Sequence, residues 1–283
     1  MILEISLWVA ATIFIIAFLA EYTDSTLGMG YGTTLTPILL LFGFSPLQVV
    51  PSILLSELIT GLLAGFFHHL AGNVDFKPKD INLFSIKQEL NELGYLETFA
   101  KGLPLHLRVA LLLAACSIFG TIVAVFIAFN IPGFWIKLYI GILVFSMGIV
   151  IIMCLNREFA FSWKKIILLG MISSFNKGIS GGGYGPIITG GQILSGIEGR
   201  HAVGITSLAE GLTCMVGVVS YLLISQGSAS WKIAPFIISG AVLSVPLSAI
   251  SVKKVSGRSL KLAIAVLTLI LGTITIVQTL ING

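Results

Sequence analysis

Several stretches of the chain are apolar over a length that can cross a lipid bilayer, and this limits the fold more than any other feature. A segment of about 18 or more residues with few or no charges predicts a membrane helix. Three such segments are uncharged: Val109–Phe129, Ile233–Val252 and Leu262–Ile281. Two carry one charge near an end, Leu3–Ala20 and Phe134–Leu155. Two carry one central glutamate, Leu47–Phe67 and Ala202–Leu223. Only 10% of the residues are charged, whereas about 25% is typical of soluble domains. The sequence therefore predicts an all-α polytopic membrane protein.

A repeat divides the chain into two related halves. Shifting the sequence by 153 positions aligns Asp24–Thr60 with Lys177–Thr213 without a gap, and 11 of 37 positions are identical. The identities include Gly-x-Gly-Tyr-Gly and a lone glutamate 25 residues after it, Glu57 or Glu210. Apolar composition alone does not produce this pattern, so both halves derive from one unit. We predict a first repeat over 1–155 and a second over 156–283, each with about five helical segments, within one integral membrane unit.

The first repeat contains an insertion. A second alignment, shifted by 124, pairs Gly133–Ile152 with Gly257–Ile276 and gives 7 identities in 20 positions. The two shifts differ by 29 residues, which is the length of the polar stretch 73–101. We predict that 73–101 is a cytoplasmic insertion, folded either as a short amphipathic helix or as a plain loop.

The positions of Lys and Arg predict how the halves are oriented. Twelve of the 16 cations lie in the insertion with Arg108, in the central link 156–165, and in 253–261. Short cytoplasmic loops are enriched in these residues, and equivalent loops of the two halves have opposite enrichment. This pattern predicts inverted repeats with both termini outside. Leu3–Ala20 lacks the basic region and cleavage site of a signal peptide, so we expect it to remain as a membrane helix.

The second segment of each half is too short to span a bilayer. Thr33–Phe42 and Pro186–Leu194 have about 10 residues each, or about 15 Å of helix, half of the hydrocarbon thickness. Each follows a glycine-rich stretch that breaks regular helix. We predict broken or re-entrant helices whose tips meet near the midplane, which gives about eight full spans and two short segments. Irregular backbone at this depth must be buried in protein or line a cavity.

Paired interrupted helices in two inverted halves indicate the substrate site of a secondary transporter. The N-termini of the short helices, at Thr33 and Pro186, would direct backbone N–H groups toward an anion. Glycines allow close backbone approach and hydroxyl groups add donors. The substrate-binding residues predicted on this basis are Gly30, Tyr31, Gly32, Thr33, Gly181, Gly182, Gly183, Tyr184 and Gly185. The alternative is that the glycines only let helices pack closely in lipid.

Four charged residues are candidates for coupling and charge balance. Glu57 and Glu210 occupy the same repeat position inside apolar segments, where an ionisable group is costly and points to function. Each could carry a proton or bind Na⁺ during transport, or could be a protonated structural brace. Asp24 and Lys177 also share one repeat position. Lys177 could balance an anionic substrate with Asp24 as its partner, or each could simply end a helix near water.

Other classes of function have little support. The cations are scattered rather than gathered into a patch, so no nucleic-acid partner is predicted. The three cysteines are isolated inside apolar runs, and no metal site or cofactor is predicted. His68 and His69 are expected at the membrane interface. No Ser/His/Asp set is evident, so the chain is not expected to be an enzyme.

These motifs resemble the TauE/SafE sulfite exporter family, also called the toluene-sulfonate uptake permeases, over nearly the full length. The family motif is a glycine-rich run, Pro, a short apolar stretch, Gly, and an Ala-Val-x-x-Ser/Thr-Ser segment, and it occurs twice. The second half matches best, with Ser180 to Pro186, Gly196 and Ala202 to Leu208. The first half has Gly28 to Gly32 and a later Pro37.

The resemblance implies transport of small sulfur-containing anions, such as sulfite, sulfoacetate or other organosulfonates, across a bacterial cytoplasmic membrane. It adds Thr206 and Ser207 to the expected site. We expect alternating access driven by protons or another ion, with the lipid bilayer and a small anion as partners. The alternative is a cation/proton antiporter or metal-ion carrier that uses Glu57 and Glu210.

Overall fold

A computed structural model describes residues 7–78, 102–153, 162–194, 197–225, 231–252, 254 and 257–282. Within these ranges the regular secondary structure is helical. The ten helices are α1 (Leu7–Leu27), α2 (Tyr31–Leu41), α3 (Pro46–Leu70), α4 (Leu105–Asn130), α5 (Gly133–Met153), α6 (Trp163–Ser180), α7 (Tyr184–Leu194), α8 (Gly199–Ser225), α9 (Ala234–Ser251) and α10 (Gly257–Asn282). The all-helical prediction is therefore confirmed for the described part of the chain. Most of the predicted insertion, 79–101, lies outside it.

Six helices are long and apolar enough to cross a membrane; they are α1, α3, α4, α5, α8 and α9. Their outer faces are apolar, since large side chains such as Phe119, Phe126 and Leu243 are at least 59% exposed. Glu57, Lys177 and other charged side chains are buried instead. A lipid solvent produces this distribution, because it favours apolar contact outside and forces polar groups to pair inside. The chain is thus a multi-pass membrane protein, and the count of about eight full spans remains a prediction.

Two helices are short in the described structure, and each begins after a glycine break. α2 and α7 have 11 residues each. The preceding helices α1 and α6 end at Gly28 and Gly181, whose φ angles of 68° and 73° are in the left-handed region. Glycine adopts this region without the steric cost that a β-carbon adds, and it commonly ends helices in this way. The glycine clusters therefore act as helix terminators, as the sequence predicts.

Helices that share a repeat position pack against each other in antiparallel pairs. Along α3 and α8, Gly61 faces Gly211 while Gly65 faces Leu208, so one helix ascends as the other descends. Along α5 and α10, Gly141 faces Ile276 and Gly148 faces Leu269, with the same consequence. Small residues at these contacts let the backbones approach closely, as is common between membrane helices.

Several other helix contacts in the first half have an equivalent in the second half. α1 packs on α9 and its counterpart α6 packs on α4; α3 packs on α9 and its counterpart α8 packs on α4. The short helices pack beside the helices that precede and follow them, α2 with α1 and α3, and α7 with α6 and α8. This packing brings both glycine breaks to the interior of the bundle.

The close backbone packing at the breaks gives a stability prediction. A β-carbon on Gly182 would lie 2.8 Å from Gly32 C and from Thr33 N, whereas one on Gly190, inside α7, would meet open space. Gly182→Ala should lower the free energy of unfolding by about 3 kcal/mol, because backbone must move to relieve the overlap. Gly190→Ala should be neutral or stabilising by up to about 1 kcal/mol.

The thermal unfolding midpoint of each variant, purified in detergent, measures this difference. Equal midpoints for Gly182→Ala and Gly190→Ala would contradict the close packing of the two breaks.

Candidate functional site

The two glycine breaks touch each other through their backbones. A β-carbon on Gly32 would overlap the carbonyl oxygen of Gly181, and one on Gly185 would overlap that of Gly28. The residue pairs 32/181 and 185/28 are exchanged by the repeat shift of 153, so the contact has approximate two-fold symmetry. No side chain separates the two breaks at these points. The tips of the short helices therefore meet, as the sequence predicts.

Two threonines at one repeat position tie each short helix to the opposite break. Thr36 on α2 donates to the carbonyl oxygen of Ser180 at 2.9 Å, and Thr189 on α7 donates to that of Gly28 at 2.7 Å. Both threonines are at most 1% exposed. These bonds satisfy carbonyl groups that the ends of α1 and α6 leave without a helical partner. They hold the two breaks together.

Lys177 forms a buried ion-pair cluster beside the breaks. Its ammonium nitrogen contacts Glu57 Oε2 and lies 2.6 Å from Glu210 Oε1. Lys177, Glu57 and Glu210 are 1%, 3% and 4% exposed. They reach the cluster from α6, α3 and α8, so it joins both halves of the chain. A charge in such a site is stable only when it is paired and hydrogen-bonded.

Two more acids on α1 extend the cluster. Glu21 Oε2 accepts a hydrogen bond from Thr60 at 3.1 Å, and Asp24 Oδ1 accepts one from the backbone N–H of Tyr31 at 3.1 Å. Both acids are buried. Asp24 is therefore a cap for α2, and the direct ion pairs of Lys177 are with the two glutamates. Asp24 and Lys177, one of whose predicted alternatives was a partnership, are within electrostatic reach of each other.

All of the predicted substrate-binding residues are buried at the breaks or next to them; they are Gly30, Tyr31, Gly32, Thr33, Gly181, Gly182, Gly183, Tyr184, Gly185, Thr206 and Ser207. Most of their hydroxyl groups already have protein partners. Tyr31 shares a hydrogen bond with Ser56 at 2.7 Å, and Thr33 and Ser207 donate to backbone carbonyls. Thr206 accepts a bond from the Gln192 amide and shares one with the Thr189 hydroxyl, each at 2.9 Å. In this conformation the site is closed.

The starts of the short helices differ from the prediction. α2 begins at Tyr31 and α7 at Tyr184, two residues before Thr33 and Pro186. The first N–H of α2, at Tyr31, is bound by Asp24. Pro186 has no N–H group to offer a ligand. Free backbone donors at these tips are therefore fewer than the glycine pattern alone indicates.

Sequence reasoning missed several residues of the site, above all Glu21. The first apolar segment was expected to end at Ala20, whereas α1 continues to Leu27. The repeat gave no signal, because the equivalent position is Ser174. The spacing of Glu21 and Asp24 is a usable signal, since residues three apart lie on one face of a helix. Thr36 and Thr189 were visible as an identical pair in the repeat, but their bonds across the breaks were not predicted.

His68 is also buried, so the expectation of an interfacial position is wrong for this residue. Nε2 of His68 donates to the carbonyl oxygen of Ser25 at 2.9 Å, and Nδ1 accepts from the amide of Asn73 at 3.0 Å. The same Asn73 amide donates to the carbonyl oxygen of Ala249. His68 is thus a neutral link between α3, the end of α1 and α9. It supports the region of the break and does not contact the ion pairs.

A lipid-facing helical bundle with paired helix breaks and buried charges at its centre is typical of membrane transporters. The sequence model of the family "Sulfite exporter TauE/SafE" matches residues 13–78 and 93–274, and the chain belongs to this family. The chain is similar to a Bacillus subtilis (strain 168) protein described as "Probable membrane transporter protein YtnM". The two are 28% identical over 253 residues, which cover 84% of this chain and 73% of that protein. No solved structure matches the chain.

Breaking the buried ion pairs of Lys177 should cost much more stability than breaking an exposed ion pair. Lys177→Met should cost about 3–5 kcal/mol of stability, because it leaves two carboxyl groups buried without their cation. Replacing all three charges, in Lys177→Met/Glu57→Gln/Glu210→Gln, should restore most of this loss. Thermal unfolding in detergent compares the variants.

Arg200→Met is the matched control. Arg200 Nε lies 2.7 Å from Glu198 Oε1, but the two side chains are 42% and 54% exposed, so breaking this pair should cost less than about 1 kcal/mol. A Lys177 variant as stable as the Arg200 variant would show that the buried cluster does not hold the helices together.

Proposed function

We propose that the chain is a secondary transporter that moves small sulfur-containing anions, such as sulfite, sulfoacetate or other organosulfonates, across the bacterial cytoplasmic membrane by alternating access. The observation that carries this proposal is the buried Lys177 beside two touching helix breaks. A lysine in this environment provides the positive charge that an anion needs when it leaves water. The breaks provide backbone that can separate without displacing side chains.

The proposed architecture is a pair of inverted repeats. Antiparallel packing of α3 with α8 and of α5 with α10 supports it, because each pair contains helices from equivalent repeat positions. If equivalent helices run in opposite directions, the half that opens to one side of the membrane has a counterpart that opens to the other. The proposed orientation, with both termini outside, rests on the distribution of Lys and Arg.

Access to the site requires the two breaks to move apart. Gly32, Gly182 and Gly185 pack directly against opposing backbone, so separation of the halves by a few ångströms opens a path to Lys177. The hydroxyl groups of Tyr31, Thr33, Tyr184, Thr206 and Ser207 would then exchange their protein partners for oxygens of the substrate. Sulfite and sulfonate groups present several acceptor oxygens to such donors. We propose H⁺ or Na⁺ as the coupling ion, with Glu57 and Glu210 as the coupling groups.

A cation/proton antiporter or metal-ion carrier is the second candidate. The number of acids favours it, because Glu21, Asp24, Glu57 and Glu210 surround a single lysine within the described part of the site. A cation carried by this cluster would be bound by Glu57 and Glu210 after Lys177 moves away. The two candidates differ in the charge of the transported ion: an anion would bind next to Lys177, whereas a cation would require Lys177 to move away.

Flux into proteoliposomes that contain the full chain tests the proposal. Sulfite, sulfoacetate and other organosulfonates should accumulate under an imposed ion gradient, and Lys177→Met should reduce this uptake at least about tenfold because the anion loses the buried counter-charge that the described site provides. Arg200→Met should leave it within about twofold, since its exposed ion pair contributes little. Protein recovery and orientation in the vesicles are matched between variants.

Absence of anion flux under every ion gradient would refute anion transport. Movement of Na⁺ or a divalent cation against protons under the same conditions would instead establish the second candidate.

A further inference from the structure

The cluster around Lys177 contains one more carboxyl group than its charge can balance. Glu57 and Glu210 both contact the Lys177 ammonium, on α3 and α8 respectively. One ionised carboxylate neutralises the ammonium, and a second would leave a net negative charge in a site that is sealed from water. A buried net charge is so costly that a group in this position takes up a proton instead. We call Lys177, Glu57 and Glu210 the trio. Its neutral form therefore contains one ammonium, one carboxylate and one carboxylic acid.

Glu57 has one carboxyl oxygen at which the trio can accept a new hydrogen bond. Among the residues that the structure describes, Glu57 Oε1 is buried without a hydrogen-bond partner, while Oε2 of the same carboxyl contacts Lys177 and lies 3.7 Å from the Cys214 thiol. Glu210 directs Oε1 to Lys177. A carboxyl oxygen left without a partner in such a site costs free energy. A proton donor or an incoming ligand at Glu57 relieves this cost.

We infer that Lys177 is shared in turn between these glutamates and the substrate, so that each monovalent anion crosses the membrane together with one proton in the same direction. This inference rests on the proposed function, and it specifies the coupling ion and the direction of coupling. When the anion binds the Lys177 ammonium, the carboxylate that it displaces loses its cation. That carboxylate takes up one proton from the side to which the site is open.

The charge balance of the step is simple. Before binding, the trio is neutral. After binding, the anion and the ammonium balance each other and both glutamates are carboxylic acids, so the loaded site is again neutral. On the other side, the anion leaves, one carboxylic acid releases its proton, and the resulting carboxylate returns to Lys177. No bond other than O–H is made or broken.

The position of Lys177 favours a proton over Na⁺ as the coupling ion. Its ammonium already lies between the two carboxyl groups, where a sodium ion bound to both would have to lie. Two cations at one such place repel each other strongly in a low-dielectric interior. A proton avoids this conflict, because it neutralises one carboxylate by itself.

The other groups that face the trio keep their own partners. Asp24 on α1 accepts from the N–H of Tyr31, and Glu21 behind it accepts from Thr60. Cys214 on α8 and Tyr184 on α7 are neutral donors within electrostatic reach of Lys177. None of these four groups directly contacts the ammonium by an ion pair in the described structure. The exchange is therefore assigned to Glu57 and Glu210.

Proton uptake on anion binding tests the inference in the full chain, purified in detergent. The probe is methanesulfonate, whose sulfonate stays ionised over the whole pH range used, so that any proton taken up belongs to the protein. Titration calorimetry in two buffers with different ionisation enthalpies should give close to one proton per anion bound. Zero uptake, or proton release, would overturn the inference.

The pH dependence of binding is the second readout in the unmodified protein. Linkage of one proton to binding predicts that the affinity for methanesulfonate falls about tenfold for each unit of pH above neutrality. In proteoliposomes an inward proton gradient should drive uptake, and an inward Na⁺ gradient at equal pH should not. Uptake driven by Na⁺ alone would overturn the inference.

Substitutions in the trio test whether Glu57 or Glu210 takes up the proton when the anion binds. Infrared difference spectra of methanesulfonate binding should show the C=O band of a newly formed carboxylic acid in the unmodified protein and no such band in Glu57→Gln/Glu210→Gln, where a Lys177 buried without a carboxylate loses its proton and any proton taken up returns to the amine. Glu198→Gln changes an exposed acid that pairs with Arg200, and it should retain the full uptake of one proton. If the double variant still shows the band of a newly formed carboxylic acid, the assignment to these glutamates is wrong.

A neutral variant separates folding from binding. Lys177→Met/Glu57→Gln/Glu210→Gln has no buried charge in the trio and should fold, but it should not bind methanesulfonate. If the double variant does not fold alone, binding of methanesulfonate should raise its thermal unfolding midpoint, since the anion supplies the missing counter-charge. No rise would count against the inference.

The inference and the proposed function fail in different ways. Binding or flux of anions without proton movement overturns the inference and leaves anion transport intact. Absence of binding and flux for methanesulfonate, sulfite and sulfoacetate refutes both.

Discussion

The burial of Lys177 is the constraint on which the rest of the structure depends. A lysine that is 1% exposed inside a lipid-facing bundle must find carboxylates, and here it finds one on α3 and one on α8. Because Lys177 and Glu210 belong to the second half and Glu57 to the first, the requirement for charge pairing is also a requirement for the halves to assemble. The polar interior thus specifies how the helices meet, while their apolar outer faces mainly contact lipid.

The glycine breaks complement this pairing. They place two short helices next to Lys177 and leave backbone in contact with backbone, so the centre of the bundle contains few side chains that would obstruct movement. Thr36 and Thr189 replace the helical hydrogen bonds that the breaks remove. The result is an interior in which the two halves are joined by backbone contact and by a small number of polar contacts.

The sequence was sufficient to predict the helical membrane fold, the family, the two short helices and the meeting of their tips, because these follow from long apolar runs and a doubled glycine pattern. It was insufficient for the partners of individual groups. Asp24 and Lys177 share a repeat position, and pairing was one of two alternatives for them; in the structure Asp24 accepts a hydrogen bond from the N–H of Tyr31, at the start of α2. Glu21 lies just beyond an apolar run and has no acidic counterpart in the repeat. His68 is buried because α1 and α9 cover it. Such contacts depend on packing between distant segments, which periodicity does not encode.

The two halves differ in sequence at a repeat position that carries a buried charge. One half carries Asp24 where the other carries Lys177, so exchanging the halves turns a cation into an acid. Two identical halves would give a protein whose two opposed arrangements have equal free energy. The two halves share only 11 of 37 aligned positions, and the exchange of Asp24 for Lys177 is a difference that changes the sign of a buried charge. If the chain alternates between inverted halves as proposed, it should rest facing one side of the membrane more than the other when no gradient is present, and this exchange of charge contributes to which side that is.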